Sequence, residues 1–73
     1  VTTTITIQDA IDQYSDLIAH VAWRIVQDRE ETRDICQETF LRFCAARDRD
    51  ETIHSPKAWL CRIALNLAVD TAR

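Results

Sequence analysis

A chain of 73 residues with no glycine has few ways to turn sharply. Glycine takes up φ > 0 without steric penalty, and two-residue hairpins and nucleotide-binding turns depend on it. Pro56 is the only proline. An all-β fold or a Rossmann-like fold is therefore disfavoured, and helices joined by polar turns satisfy the constraint. The expected fold is all-α, a compact bundle of three main helices. Apolar residues make up 47% of the chain, enough for a core and too much for a disordered tail,. At this length the chain is one small domain whose core yields roughly 3–5 kcal/mol net. Such a domain leans on a partner or on a neighbouring domain.

Local signals place the helices. Residues 1–5, VTTTI, precede the first cap and read as a loose tail. Thr6 and Asp9 make a capping-box pattern that opens a helix running to about Gln27. Its core stripe is Ala10, Ile11, Tyr14, Leu17, Ile18, Val21, Ala22 and Ile25. Trp23 falls on the other side, among Asp12, Asp16, Ala19 and Val26, where it either covers the core's rim or meets a partner. Asp28 and Glu31 repeat the capping pattern and open a second helix, which should fade near Ala46. RDRDETIHS, residues 47–55, alternates charge without an apolar period and reads as a loop. Ser55-Pro56 supplies an N-cap and a proline at the first helical position. The last helix then runs to Arg73, roughly 27 Å at 1.5 Å per residue. A start at Val1 and a stop within a helical pattern are what a domain cut from a longer chain would show.

The helices divide into faces. In the second, Cys36, Thr39, Phe40 and Phe43 form a core stripe. The opposite face carries Asp34, Gln37, Glu38 and Leu41, a leucine among acidic and amide groups. That face is either a solvated surface or a docking surface for a basic partner helix. In the last helix Leu60, Ile63, Ala64 and Leu67 make the core stripe. Trp59, Arg62, Asn66, Asp70 and Arg73 line a second side. Cys61, Leu65, Ala68 and Ala72 line a third, and a helix apolar on two sides is expected to be packed on two sides.

Several function classes fall away. No serine stands beside a histidine, no carboxylate pair shares an apolar pocket, and no glycine-rich loop could cradle phosphate, so no enzyme is expected. Cys36, Cys44 and Cys61 are odd in number and occupy apolar helical positions. They read as buried small hydrophobes in a reducing cytoplasm. Neither Cys36 and Cys44 nor His20 and His54 have metal-ligand spacing, so neither metal nor cofactor is expected. No run of 18 apolar residues and no secretory leader is present. The net charge is −3, which argues against indiscriminate nucleic-acid binding. Its distribution is uneven. Residues 1–55 hold six basic against eleven acidic residues, whereas residues 56–73 hold three against Asp70 alone. Any nucleic acid should meet the last helix.

Two motifs in order, RDICQETFLRF and SPKAWLCRIALNLAVDTAR, resemble region 2 of bacterial sigma factors of the extracytoplasmic-function (ECF) group. The first matches the family's D-x-x-Q-E-x-F-L segment through Asp34, Gln37, Glu38, Phe40 and Leu41. The second matches W-L-x-R-I-A-x-N-x-A-x-D-x-x-R through Trp59, Leu60, Arg62, Ile63, Ala64, Asn66, Ala68, Asp70 and Arg73. The likeness covers roughly residues 10–73. It departs from the family at Thr32-Arg33, where Ala-Glu is usual. SPKAWL and the short loop resemble the iron-starvation subgroup.

The resemblance implies roles. Asp34, Gln37, Glu38 and Leu41 would dock on the clamp helices of the RNA polymerase β′ subunit. The loop and last helix would bind the minus-ten promoter element. There the helix meets the duplex edge and the loop accepts a flipped non-template base. Arg62, Asn66, Trp59, Lys57 and Arg73, with His54 and Ser55 of the loop, would be the DNA-binding residues. With Trp59 the sole aromatic of that motif, strand opening by the domain alone should be weak. An anti-sigma factor is an implied further partner, and the second promoter-binding domain of the family is absent from the chain. Two rivals stand beside this reading. One is a helical protein-interaction module that never touches DNA, which the acidic charge favours. The other is a helix-turn-helix regulator, for which the charged loop is long.

Overall fold

The computed structural model describes residues 5–73, which form three helices. They are α1, Ile7–Val26; α2, Arg29–Asp48; and α3, Pro56–Ala72. Each packs on both others, with the α1–α3 interface the most extensive. Gln27 and Asp28 alone join α1 to α2 and fold them into an antiparallel hairpin. The all-α three-helix fold is the one expected.

The helix starts follow the sequence signals. The Asp9 N–H donates to Thr6 Oγ1 at 3.0 Å and the Thr6 N–H to Asp9 Oδ2 at 3.4 Å, a complete capping box. At α2 the Glu31 N–H donates to Asp28 Oδ1 at 2.9 Å, and only this half of the expected box forms. At α3 the Ala58 N–H donates to Ser55 Oγ at 3.2 Å, with Pro56 in the first turn.

Without glycine, the helix ends use other residues at φ > 0. Gln27 ends α1 at φ 49, its N–H donating to the Trp23 carbonyl at 2.9 Å. Asp50 stands at φ 58 after α2. There the Glu51 N–H donates to Ala46 O at 2.9 Å and the Asp50 N–H to Arg47 O at 3.0 Å, a Schellman motif with aspartate in the usual glycine position,. This motif carries α2 two residues beyond the expected end at Ala46. It also leaves a tighter connection, residues 49–55.

The core is broader than the stripes read from the sequence. Ala10, Ile18 and Ala22 of α1 are fully buried, and the rest of its expected stripe is half-buried. On α2, Ile35 and Ala46 join Thr39, Phe40 and Phe43 inside, while Cys36 is half-buried. That helix packs against two neighbours, so its apolar face is wider than one stripe. The Thr39 hydroxyl is satisfied within the helix, donating to the Ile35 carbonyl at 2.7 Å. On α3 the wholly buried line is Leu60, Ala64 and Ala68, one residue every turn. Ile63 and Leu67 keep an edge in solvent, and Leu65 and Ala72 are exposed, so the expected packing on two sides is only partial. Ala10 and Ala22 of α1 and Ala64 and Ala68 of α3 are covered completely.

Two contacts tie the ends of the fold together. Ile53, in a segment expected to be plain loop, is 3% exposed and belongs to the core. Ile5 packs against the same core and its carbonyl accepts from the Arg47 guanidinium. The rest of the expected tail, residues 1–4, lies outside the described residues.

Two stability outcomes follow. Gln27→Gly should raise unfolding free energy by about 0.5–1 kcal/mol, since a left-handed residue with a Cβ costs about 1–2 kcal/mol. Phe43→Ala should cost about 3–5 kcal/mol, comparable with the whole net core. Urea unfolding followed by circular dichroism reads both.

Candidate functional site

Two surfaces carry the residues singled out by the motifs. The first lies on α2, where Asp34, Gln37, Glu38 and Leu41 are all exposed. Leu41 is 63% exposed. Glu38 pairs with Arg42 one turn on, at 2.9 Å. A pair this exposed is worth about 0.3–0.5 kcal/mol and is easily exchanged for another partner. Beside Leu41 the seam between α1 and α2 opens into an apolar recess of about 360 Å³, lined by Ile7, Ile11, Gln37, Phe40, Leu41 and Cys44. Gln37 and Leu41 thus meet at the recess, while Asp34 and Glu38 stand outside it. An apolar hole with an amide at its edge and carboxylates beyond can take one apolar side chain and hold cations around it.

The second surface forms where the 49–55 connection enters α3. Ser55 caps the helix and Pro56 has no N–H, so the Lys57 N–H has no acceptor within the helix,. Around this end is a recess of about 390 Å³ formed by Thr52, Ile53, His54, Ser55, Ala58, Trp59 and Arg62. Four of the residues expected at DNA, His54, Ser55, Trp59 and Arg62, therefore share one cavity. Lys57 is exposed on the adjoining turn, and Asn66 is exposed one turn beyond Arg62. Arg73 closes the far end of α3, about 16 Å from Arg62 along the axis at 1.5 Å per residue,. It does not join the group.

The walls of the recess are fixed by the core. Trp59 is half-buried, its ring centroid 5.7 Å from that of Phe43 in an edge-on arrangement at 60°. Ile53 anchors the connection from below. On the other side of Trp59 a second hollow of about 290 Å³ is lined by Arg42, Ala45, Arg49, Glu51, Trp59, Arg62 and Ile63. Arg49 pairs with Glu51 at 3.1 Å and Arg42 with Glu38, whereas Arg62 has no ion pair among the described residues. Arg42 and Arg49 were not expected here. Their spacing of seven residues, two helical turns, puts them on one side and was the signal that could have found them.

Cys36, Cys44 and Cys61 are free and half-buried, and burial pushes the Cys36 thiol up, away from the reactive thiolate,. Among the described residues no group of three His, Cys, Asp or Glu side chains could hold a metal ion. Nor is any described helix long and apolar enough to cross a membrane.

Comparison with known proteins identifies a family. Residues 10–73 match the family described as Sigma-70 region 2. The ECF RNA polymerase sigma factor SigW of Bacillus subtilis (strain 168) is 35% identical over 65 residues, which cover 89% of this chain and 35% of SigW. The chain thus spans about a third of that relative's length. No solved structure matches it. With both motifs on the faces described, and a family match from α1 to the end of α3, the chain belongs to the Sigma-70 region 2 family.

Proposed function

We propose that this domain is the promoter-recognition module of an alternative sigma factor of the ECF group. It acts in the cytoplasm, in transcription initiation. Its α2 face docks on the β′ clamp helices of RNA polymerase core, and the α3 end reads the non-template strand of the minus-ten element. The observation that carries this reading is the cavity shared by His54, Ser55, Trp59 and Arg62 at a helix N-terminus. Its volume falls in the range of small-ligand sites, roughly 300–1,000 Å³. An aromatic wall can stack on a base, contributing about 1–3 kcal/mol. Arg62 and the free Lys57 N–H of the first turn suit phosphate or base edges,. Together they offset the few kcal/mol needed to take a base out of the stack. Asn66, a turn further on, is placed for the duplex edge instead.

The chemistry stays with the polymerase, and the domain supplies docking and sequence reading. An anti-sigma factor is proposed as a third partner, burying Trp23 or the 34–41 face. The iron-starvation subgroup is supported only by SPKAWL and the short connection. One observation favours a second reading, a protein-interaction module without DNA: the recess beside the exposed Leu41, in a domain of net charge −3, offers a partner helix a ready seat.

On the docking face, Leu41→Ala and Gln37→Ala should each weaken binding to the clamp helices by more than about 1 kcal/mol, with helicity unchanged. Asp34→Ala, outside the recess, should cost less. Affinities unchanged in both central variants would leave the α2 face a plain solvated surface.

On the DNA face, transcription from a promoter library at one salt concentration separates the roles. Arg62→Ala should weaken all promoters alike, as loss of a phosphate contact does. Asn66→Ala should relax base preference at one position by about 1–3 kcal/mol. His54 variants should change which non-template base is preferred. Wild-type rates and preferences in all three would favour the interaction-module reading.

A further inference from the structure

The α1–α2 seam has a second opening, at the end opposite the Leu41 recess. It is a groove of about 400 Å³ whose lining includes Ser15, Asp16 and Trp23 from α1 and Arg29, Thr32 and Arg33 from α2. Trp23 is 44% exposed there, on a helix whose other large apolar residues are all buried or half-buried. Arg29 and Arg33 stand one helical turn apart and both are exposed,. Neither has an ion-pair partner among the described residues. Asp28, Glu30 and Glu31 do not line the groove. Two cations against one aspartate are thus a local reversal of sign in a chain of net charge −3. The Thr32 hydroxyl is shut off from water with no hydrogen-bond partner, whereas that of Thr39 donates to the carbonyl one turn back. Thr32-Arg33 is also the pair at which α2 departs from the family's usual Ala-Glu. None of these residues belongs to the two surfaces already described.

We propose that this groove binds a free guanosine phosphate, with the base stacked on Trp23 and the phosphate held by Arg29 and Arg33. A guanidinium donates through parallel N–H groups, so two of them a turn apart suit the several oxygens of one phosphate. The exposed indole offers a stacking surface for the base. The Asp16 carboxylate can only accept, which selects a base presenting two adjacent N–H donors, as the Watson–Crick edge of guanine does. Adenine offers one amino group there, and a simple aromatic acid offers none. Ser15 and Thr32 supply hydroxyls beside the anion. Rotation about the Cα–Cβ bond of Thr32 brings its hydroxyl to a ligand oxygen and ends its unpaired state. The volume of the groove falls in the range of small-ligand sites, roughly 300–1,000 Å³,. A nucleic-acid strand fits less well, because its continuous negative charge would also face Asp16.

The two tryptophans of the chain give separate indole N–H signals in a nitrogen-15 correlation spectrum, and Trp23→Phe identifies which is which. Titration of the full chain with guanosine monophosphate should shift the Trp23 signal saturably and leave that of Trp59 in place. Adenosine monophosphate should bind at least fivefold more weakly, a preference that Asp16→Asn abolishes. Arg29→Glu with Arg33→Glu should lower guanosine monophosphate affinity tenfold or more. Carboxylates favour the first turns of a helix, and circular dichroism confirms that α2 persists in this variant. Thr32→Ala should lower the affinity severalfold, and Thr32→Ser should restore it. The proposal is overturned by the absence of a saturable shift at millimolar nucleotide, or by an equal shift with inorganic phosphate alone. Equal affinity for the two monophosphates, or binding indifferent to the charge reversal, overturns it as well. So does a shift of Trp59 in place of Trp23, or tighter binding of an oligothymidine at Trp23. Loss of promoter function in other variants bears on none of these.

Discussion

Phe43 is the side chain through which the core supports both the start of α3 and the segment ahead of α1. It is wholly buried on α2. The Trp59 ring of α3 rests against it edge-on, and the Arg47 guanidinium lies 5.8 Å from its centroid. Through Trp59 it fixes one wall shared by the two hollows at the start of α3. Through Arg47, which also donates to the Ile5 carbonyl, it ties down the chain segment ahead of α1. A domain this small has little stability to distribute. Concentrating it at one aromatic contact places rigidity at the start of α3.

The absence of glycine shapes the rest. Each helix end that needs a left-handed residue uses one with a side chain, Gln27 or Asp50. Aspartate tolerates that region better than most residues. The Schellman motif at Asp50 turns the chain back at once, so Ile53 reaches the core and Ser55 is delivered to cap α3. The recess therefore exists before any ligand arrives. A preformed cavity avoids the entropy of ordering a loose loop upon binding.

Much of this was legible in the sequence, for identifiable reasons. Thr6 with Asp9 and Ser55 with Pro56 are local signals whose meaning depends on three or four neighbouring residues, and both caps formed as read. The α1 stripe was legible because one helix face meets the core at a steady period. Ile35 was missed because α2 buries a wider arc than a single stripe, whereas buried Ala68 stands on the second apolar side read for α3. Ile53 was missed because a lone apolar residue in a charged segment has no period to reveal it. The spacing of Arg42 and Arg49 put them on one side of α2, but their place beside Trp59 depends on how α2 and α3 cross. The motif residues themselves fell unevenly: His54, Ser55, Trp59 and Arg62 converge, Asn66 stands a turn away, and Arg73 lies at the other end of the helix.

The central claim is that the hollow between the 49–55 connection and α3 receives a base taken from the non-template strand. It is tested most directly with promoter DNA carrying 2-aminopurine at successive non-template positions of the minus-ten element. The DNA is bound by polymerase holoenzyme reconstituted with the full sigma protein. The account predicts a rise in fluorescence, the sign of lost stacking, at one position. It also predicts that the rise is diminished when Trp59→Ala removes the wall of the cavity. Equal emission at every position, or a rise indifferent to Trp59→Ala, would contradict it.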